Sequence, residues 1–275
     1  MQWTKRWCRD ALLVSLLISM LGTPVLAACV KSVRWAEDPP FDMRDADGRL
    51  SGITADLMRE TLRRMDCTAR FVELPWARGL HNLEKGSLDI LSGALPTAER
   101  ARFAYFSVPI IRSPNVLFVS RAAAAKYRLR SLRDLIGTDF RLGAQIDVVY
   151  SQEYQALLQD PAFRERVVMV SSREGAWNMI KAGRLDGLIA DEITGVIEID
   201  KLGLASYVQE SGLLVSDEPA VVALSRKSVS PAFVEHFDQT LKAMLRDGTY
   251  VRIVQQYLPC RVSAEQLGCG VPPAE

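Results

Sequence analysis

The chain has 275 residues, 24% of them charged, with a formal net charge of +1 and a mean hydropathy of +0.04. So even a balance leaves no basic excess for nucleic acid or an anionic membrane surface. The two histidines, His81 and His236, read as ordinary polar positions in helical patterns, and no Cys-x-x-Cys or His-x-x-x-His spacing occurs, so neither a metal site nor a cofactor is expected.

Residues 1–28 read as a secretory signal peptide: Lys5, Arg6 and Arg9 form a basic start, Ala11 to Leu21 is apolar with serines, and Pro24 precedes Ala27 and Ala28. The apolar run is too short to span a bilayer, which needs about 20 residues. Removing this segment leaves about 247 residues with a net charge near −1, enough for one large or two modest domains. Four cysteines then remain, and an even number outside the cytoplasm argues for two disulfides. Cys29 and Cys67 precede the first two strands, which would start side by side if parallel neighbours, and Cys260 and Cys269 are close in sequence, so these two pairs are expected. Leu26-Ala27-Ala28-Cys29 also satisfies a lipobox, which would lipidate Cys29 and leave Cys67 unpaired.

Strand and helix signals then alternate, which predicts α/β layers with mostly parallel sheets. Val30 to Trp35 is a strand. After the turn Asp45 to Gly48, a helix carries Leu57, Met58, Thr61, Leu62 and Met65 on one face. Ala69 to Glu73 is a strand, Pro75 opens a helix that Gly86 ends, and Leu88 to Leu91 is a strand. Pro96 and Thr97 should start a helix with Glu99 and Arg100 in its first turn. Asn115 to Ser120 is a strand, and Arg121 to Lys126 reads as a featureless stretch where the chain could change lobes. Then come a capped short helix from Ser131, a strand Arg141 to Gln145, a helix Tyr150 to Asp160, a strand Val167 to Val170 and a helix capped by Ser171 and Glu174. Gly187 to Asp191 is a buried strand, with Asp186 structural in the preceding turn. Helix Ile193 to Lys201, strand Ser206 to Val208, return strand Ala220 to Leu224, a helix from Ser230-Pro231 and a last segment Thr249 to Leu258 complete the pattern.

The stretch Leu88 to Ser107 places Ser92-Gly93 and Thr97-Ala-Glu-Arg100 after a strand. Unpaired backbone N–H groups, a helix dipole and a guanidinium there would favour a small anion. This order resembles the extracytoplasmic solute-binding proteins of family 3, the polar amino-acid type that serves ABC importers. Pro39-Pro40-Phe41, Gly52 to Leu57, Leu74-Pro-Trp-Ala-Arg78, and Gly86 to Asp89 match the same family in the same order. The resemblance implies a two-lobed periplasmic binding protein-like (type II) fold with two hinge crossovers, near Ser120 and Ala220. Residues 29–119 and 221–260 would form lobe one, 121–219 lobe two, and 261–275 a disulfide-bearing tail.

By the same resemblance Arg100 would hold a ligand carboxylate, Trp76 would stack on the ligand and Asp191 would meet its ammonium. The residues alone also allow a solvated Arg100, a core Trp76 and a helix-capping Asp191. Asp38 and Gly93 lie at strand ends, where open α/β sheets bind ligands, and Arg78 could face either the cleft or solvent. The chain departs from the family at Leu95, at Asp38 and at Ile146-Asp147-Val148-Val149, where hydroxyl, aromatic and Gly-Thr/Ser-Thr/Ser residues are usual. Asp38 and Asp147 should therefore tune the ligand, with a cationic or amide-bearing side chain as the first expectation.

The function expected is ligand capture by lobe closure and delivery to an ABC-type permease, with the protein a periplasmic monomer. With no Walker A loop, the ATPase and permease would be other chains. An enzyme of the same fold, dehydratase-like with Asp38 or Asp147 as general acid, and a ligand-sensing subunit of a membrane receptor are the alternatives. No Ser-His-Asp or Cys-His arrangement is recognisable, and binding without chemistry is the preferred reading.

Overall fold

The computed structural model describes residues 28–269. The expected signal peptide, apart from Ala28, and residues 270–275 of the tail lie outside the described residues. No helix among the described residues is long and apolar enough to cross a membrane.

The first sheet is assembled from β1 (Cys29–Trp35), β4 (Cys67–Glu73), β5 (Ile90–Ala94), β6 (Ala104–Phe106) and β12 (Val221–Ser225), in the order β4-β1-β5-β12-β6. Two short strands, β2 (Met43–Arg44) and β3 (Leu50–Ser51), form a hairpin outside it. α1 (Ile53–Arg64) buries Ile53, Leu57, Met58, Thr61 and Leu62, and packs with α8 (Pro231–Arg246) and α9 (Thr249–Val254). It can start where it does because Gly52 sits at φ 118°, and an added Cβ would stand 2.3 Å from the Phe41 carbonyl oxygen. α2 (Trp76–Lys85) packs on the same sheet through β5 and β12 and ends at Gly86, in the left-handed region at φ 82°.

The second sheet contains β7 (Asn115–Ser120), β8 (Leu142–Gln145), β9 (Val167–Val170), β10 (Gly187–Asp191) and β11 (Val208–Ser216), in the order β11-β7-β10-β8-β9. Around it lie α3 (Arg121–Lys126), α4 (Gln152–Leu157), α5 (Pro161–Arg164), α6 (Arg173–Lys181) and α7 (Glu192–Lys201). Trp177 meets Phe118 edge-on, with ring centroids 5.4 Å apart, and both are buried in this lobe's core. The fold is thus α/β and two-lobed. Each sheet, expected to be mostly parallel, has two parallel and two antiparallel pairings, the antiparallel ones being made by β12 in the first and by β7 in the second.

The chain changes sheets between Phe106 and Asn115 and returns between Ser216 and Val221. The two crossing segments are joined by a bridge between Ile111 and Ala220. The first crossing therefore lies ahead of the expected position near Ser120, and Asn115–Ser120, expected in lobe one, pairs in lobe two. Arg121 to Lys126, read as featureless, is helical: four alanines favour a helix, and the Ser120 side chain accepts from the Ala123 N–H to cap it. The helix expected at Thr97 is only a three-residue 3-10 turn, Arg100–Arg102. Helix Tyr150 to Asp160 is shorter than expected, and Pro161, rather than merely ending it, opens α5 with Asp160 as its cap. Ser172, not Ser171, caps α6. β11 begins at Val208, where the expected strand from Ser206 should end, and runs to Ser216 with register shifts after Glu210 and Leu214.

Cys29 bridges Cys67, at the paired starts of β1 and β4, and Cys260 bridges Cys269. Cys29 so bonded has no thiol free for lipid. The second bridge closes a small hairpin of β13 (Val262–Ser263) and β14 (Gly268–Cys269), whose Leu267 carbonyl accepts from the Arg112 N–H at 2.8 Å, on the first crossing segment.

Candidate functional site

A cavity of about 160 Å³ lies between the lobes, where β1, β5, β8 and β10 end. Strand ends in open α/β sheets leave backbone groups and side chains free for a ligand. Asp38, Trp76, Gly93, Arg100 and Asp191 line this cleft together, as do Arg34, Asp42, Ser92 and Arg173. Arg78 does not: it is exposed on α2, outside the lining. Asp147 differs from expectation as well. It occupies a turn at φ 60°, its side chain is exposed outside the lining, and it takes part through its carbonyl.

That carbonyl joins the lobes at one end of the cleft. It accepts from Arg100 Nη2 at 2.8 Å and from Trp76 Nε1 at 3.0 Å, both of lobe one. Arg100 Nη1 donates to the Leu95 carbonyl at 2.9 Å. Although Arg100 is buried, its two acceptors are neutral, and burial lowers its pKa against the opposing pull of Glu99 and Asp147. The Trp76 ring lies under two guanidinium groups, with the Arg34 and Arg100 carbons 5.6 and 5.7 Å from its centroid.

The other end is closed by charge. Arg173, the first residue of α6 in lobe two, donates from Nη2 to Asp38 of lobe one at 2.7 Å and to Glu198 of α7 at 2.8 Å. Thr194 Oγ1 donates to Asp38 at 3.3 Å, and Trp177 Nε1 donates to Glu198 at 2.6 Å. Burial opposes charge on Arg173, but Asp38, Glu198 and Asp191 outweigh it and hold the guanidinium firmly protonated.

Asp42 and Asp191 also line the cleft, each near enough to Asp38 to feel its charge. Burial and the neighbouring Asp38 push the Asp42 carboxyl up to about 8, against the pull of Arg34, so it is largely protonated at neutral pH. Asp191 ends β10 and caps α7, accepting from the Thr194 N–H at 2.9 Å, while burial raises its pKa to about 6. Ser92 is buried beside them, and its hydroxyl has no partner among the described residues. No group of three or more His, Cys, Asp or Glu that could hold a metal occurs among the described residues.

Sequence reasoning missed Arg173 and Arg34. A cation in the first turn of a helix opposes the helix dipole, so Arg173 behind its serine cap was a sign of a strong anionic partner. Arg34 is a charge near the C-terminal end of a buried strand, which pointed to the cleft.

Two sheets joined by a pair of crossing segments, with a charged cleft at their strand ends, define the class of two-lobed binding proteins. The profile of the bacterial extracellular solute-binding proteins, family 3, matches residues 33–259, and the chain belongs to that family. It is 23% identical to the histidine-binding periplasmic protein of Salmonella typhimurium over 90% of this chain and 95% of that one. To the ABC transporter arginine-binding protein 1 of Escherichia coli it is 24% identical, over 80% and 87%. Its fold is similar to that of an ancestral arginine-binding protein bound to arginine, with a TM-score of 0.71 at 23% identity over 83% of this chain and 98% of that one.

Proposed function

We propose that this protein is a periplasmic solute-binding protein that captures an amino acid or related small carboxylate by lobe closure and delivers it to the permease of an ABC transporter. The reading is carried by opposite charges set across the cleft: the Arg100 guanidinium from lobe one and the Asp191 carboxylate from lobe two. A zwitterion that touches both stabilises the closed form, because only closure brings both contacts to one molecule. Gly93 and Ser92 supply backbone and hydroxyl groups, Trp76 holds Arg100 in place, and Asp38 shapes the far end through Arg173. Arg78 and the Asp147 side chain stay outside the contact set. The protein works as a monomer, exported through a cleaved signal peptide, and binds without chemistry. It takes no cofactor and no nucleic acid partner.

Mass spectrometry of the small molecules released on denaturing protein purified from the periplasm tests this reading. A free amino acid or small carboxylate in near-equimolar amount is expected. Protein that releases none, and whose scattering radius does not shrink when amino acids are added, would overturn it.

A further inference from the structure

Two buried guanidinium groups in the cleft have no carboxylate hydrogen-bonded to them. Arg34 Nε donates to the Leu74 carbonyl at 2.9 Å, and its four Nη–H donors have no protein acceptor among the described residues. Arg100 donates only to the carbonyls of Leu95 and Asp147. Nearby acids do not fill the gap. Asp38 is held by Arg173 and Thr194, and Asp42, beside Arg34, is largely protonated at neutral pH. Burial weighs against the charge of both arginines, so each gains from an anion brought into the cleft.

Their placement is built in. Gly79 on α2 leaves room for the Arg34 stem, since an added Cβ would stand 3.1 Å from Arg34 Cγ and 3.1 Å from Leu91 Cδ1. Both guanidinium carbons lie within 6 Å of the centroid of the Trp76 ring, so the two stand no more than about 12 Å apart in one cleft lining.

We propose that Arg34 is a second anion anchor, and that the cleft selects amino acids with a side-chain carboxylate: Arg100 takes one carboxylate, Arg34 the other, and Asp191 the ammonium. This assignment rests on the solute-binding reading above and names its ligand class. It departs from the cationic or amide side chain first expected, and from the arginine and histidine named for relatives, because a cationic side chain reaching that end would lie beside Arg34. Two carboxylates and one ammonium match two free cations and one free carboxylate, leaving no buried charge alone.

Titration calorimetry on purified, dialysed protein tests it, with L-glutamate and L-aspartate against L-glutamine, L-asparagine, L-arginine and L-histidine. An acidic amino acid should bind about tenfold or more tightly than its isosteric amide. Arg34→Met should abolish that preference while changing amide binding less than about threefold. If the variant does not fold, Arg34→Lys and the acid-to-amide ratio of the parent protein decide. An amide, arginine or histidine binding as tightly as the acidic ligands overturns the assignment and leaves solute binding standing. Binding of none of the six overturns the assignment as well, while solute binding falls only if the native protein also releases no amino acid or small carboxylate.

Discussion

The two ends of the cleft use the same side chain for opposite ends. Arg100 crosses to lobe two by donating from Nη2 to the Asp147 carbonyl, while Nη1 donates to the Leu95 carbonyl of its own lobe, and these neutral acceptors leave its charge uncompensated. Arg173 crosses to lobe one by bonding a carboxylate while a second carboxylate grips it from behind, so its charge is spent within the protein. A guanidinium with neutral partners is available to an anionic ligand, whereas one held between carboxylates is a strut. Counting arginines in a cleft therefore says little until each is paired with its acceptors.

Breaking the strut should have the largest effect. Arg173→Ala would leave Asp38 and Glu198 facing each other in a largely buried site, and removing one partner of such a network costs about 3–5 kcal/mol. Urea unfolding should show a matching fall in stability; a midpoint within error of the parent would mean the pair is solvated and the comparison fails. Arg100→Ala should do the reverse. It should weaken binding of the ligand recovered from the native protein by about 2–5 kcal/mol, measured by calorimetry, with a smaller loss of stability than Arg173→Ala. Equal binding by the variant would remove Arg100 from the carboxylate role.

Local chemistry made much of the fold legible and little of the site's pairing. Gly187 to Asp191, Ser230-Pro231 and the four cysteines carry strong short-range signals, and each lies where such signals put it. β7 failed for a topological reason: its sequence specifies a strand, but which sheet it joins depends on β10 and β11, about 70 and 90 residues away. Asp38 and Asp191 were found as strand-end acids, yet nothing local shows that Asp38 meets Arg173, 135 residues further on. Asp147 was legible only as a departure from a family pattern. Its contribution is a carbonyl turned toward Arg100 and Trp76, and a carbonyl leaves no mark in the residue type.

The smallest effect lies at Asp42, in the cleft lining near Asp38 and Arg34. In the unfolded chain this carboxyl ionises near 3.8, and in the folded protein near 8, because it is buried beside Asp38. Between those values the folded state holds a proton that the unfolded state has lost, so the stability set by this site falls as pH rises and levels off above about 8. Asp191 is raised in the same sense, to about 6, and adds to the decline at lower pH. Asp42→Asn keeps an acceptor for the Ala55 N–H and removes only the Asp42 part. From pH 7 to 8.5 the parent should therefore lose about 1 kcal/mol relative to this variant, read as a fall in its melting temperature relative to the variant's. Parallel profiles would mean that Asp42 is already ionised at neutral pH. It would then stand as an anion beside Arg34, and the contrast between a free cation at one end and a neutralised one at the other would lose half of its basis.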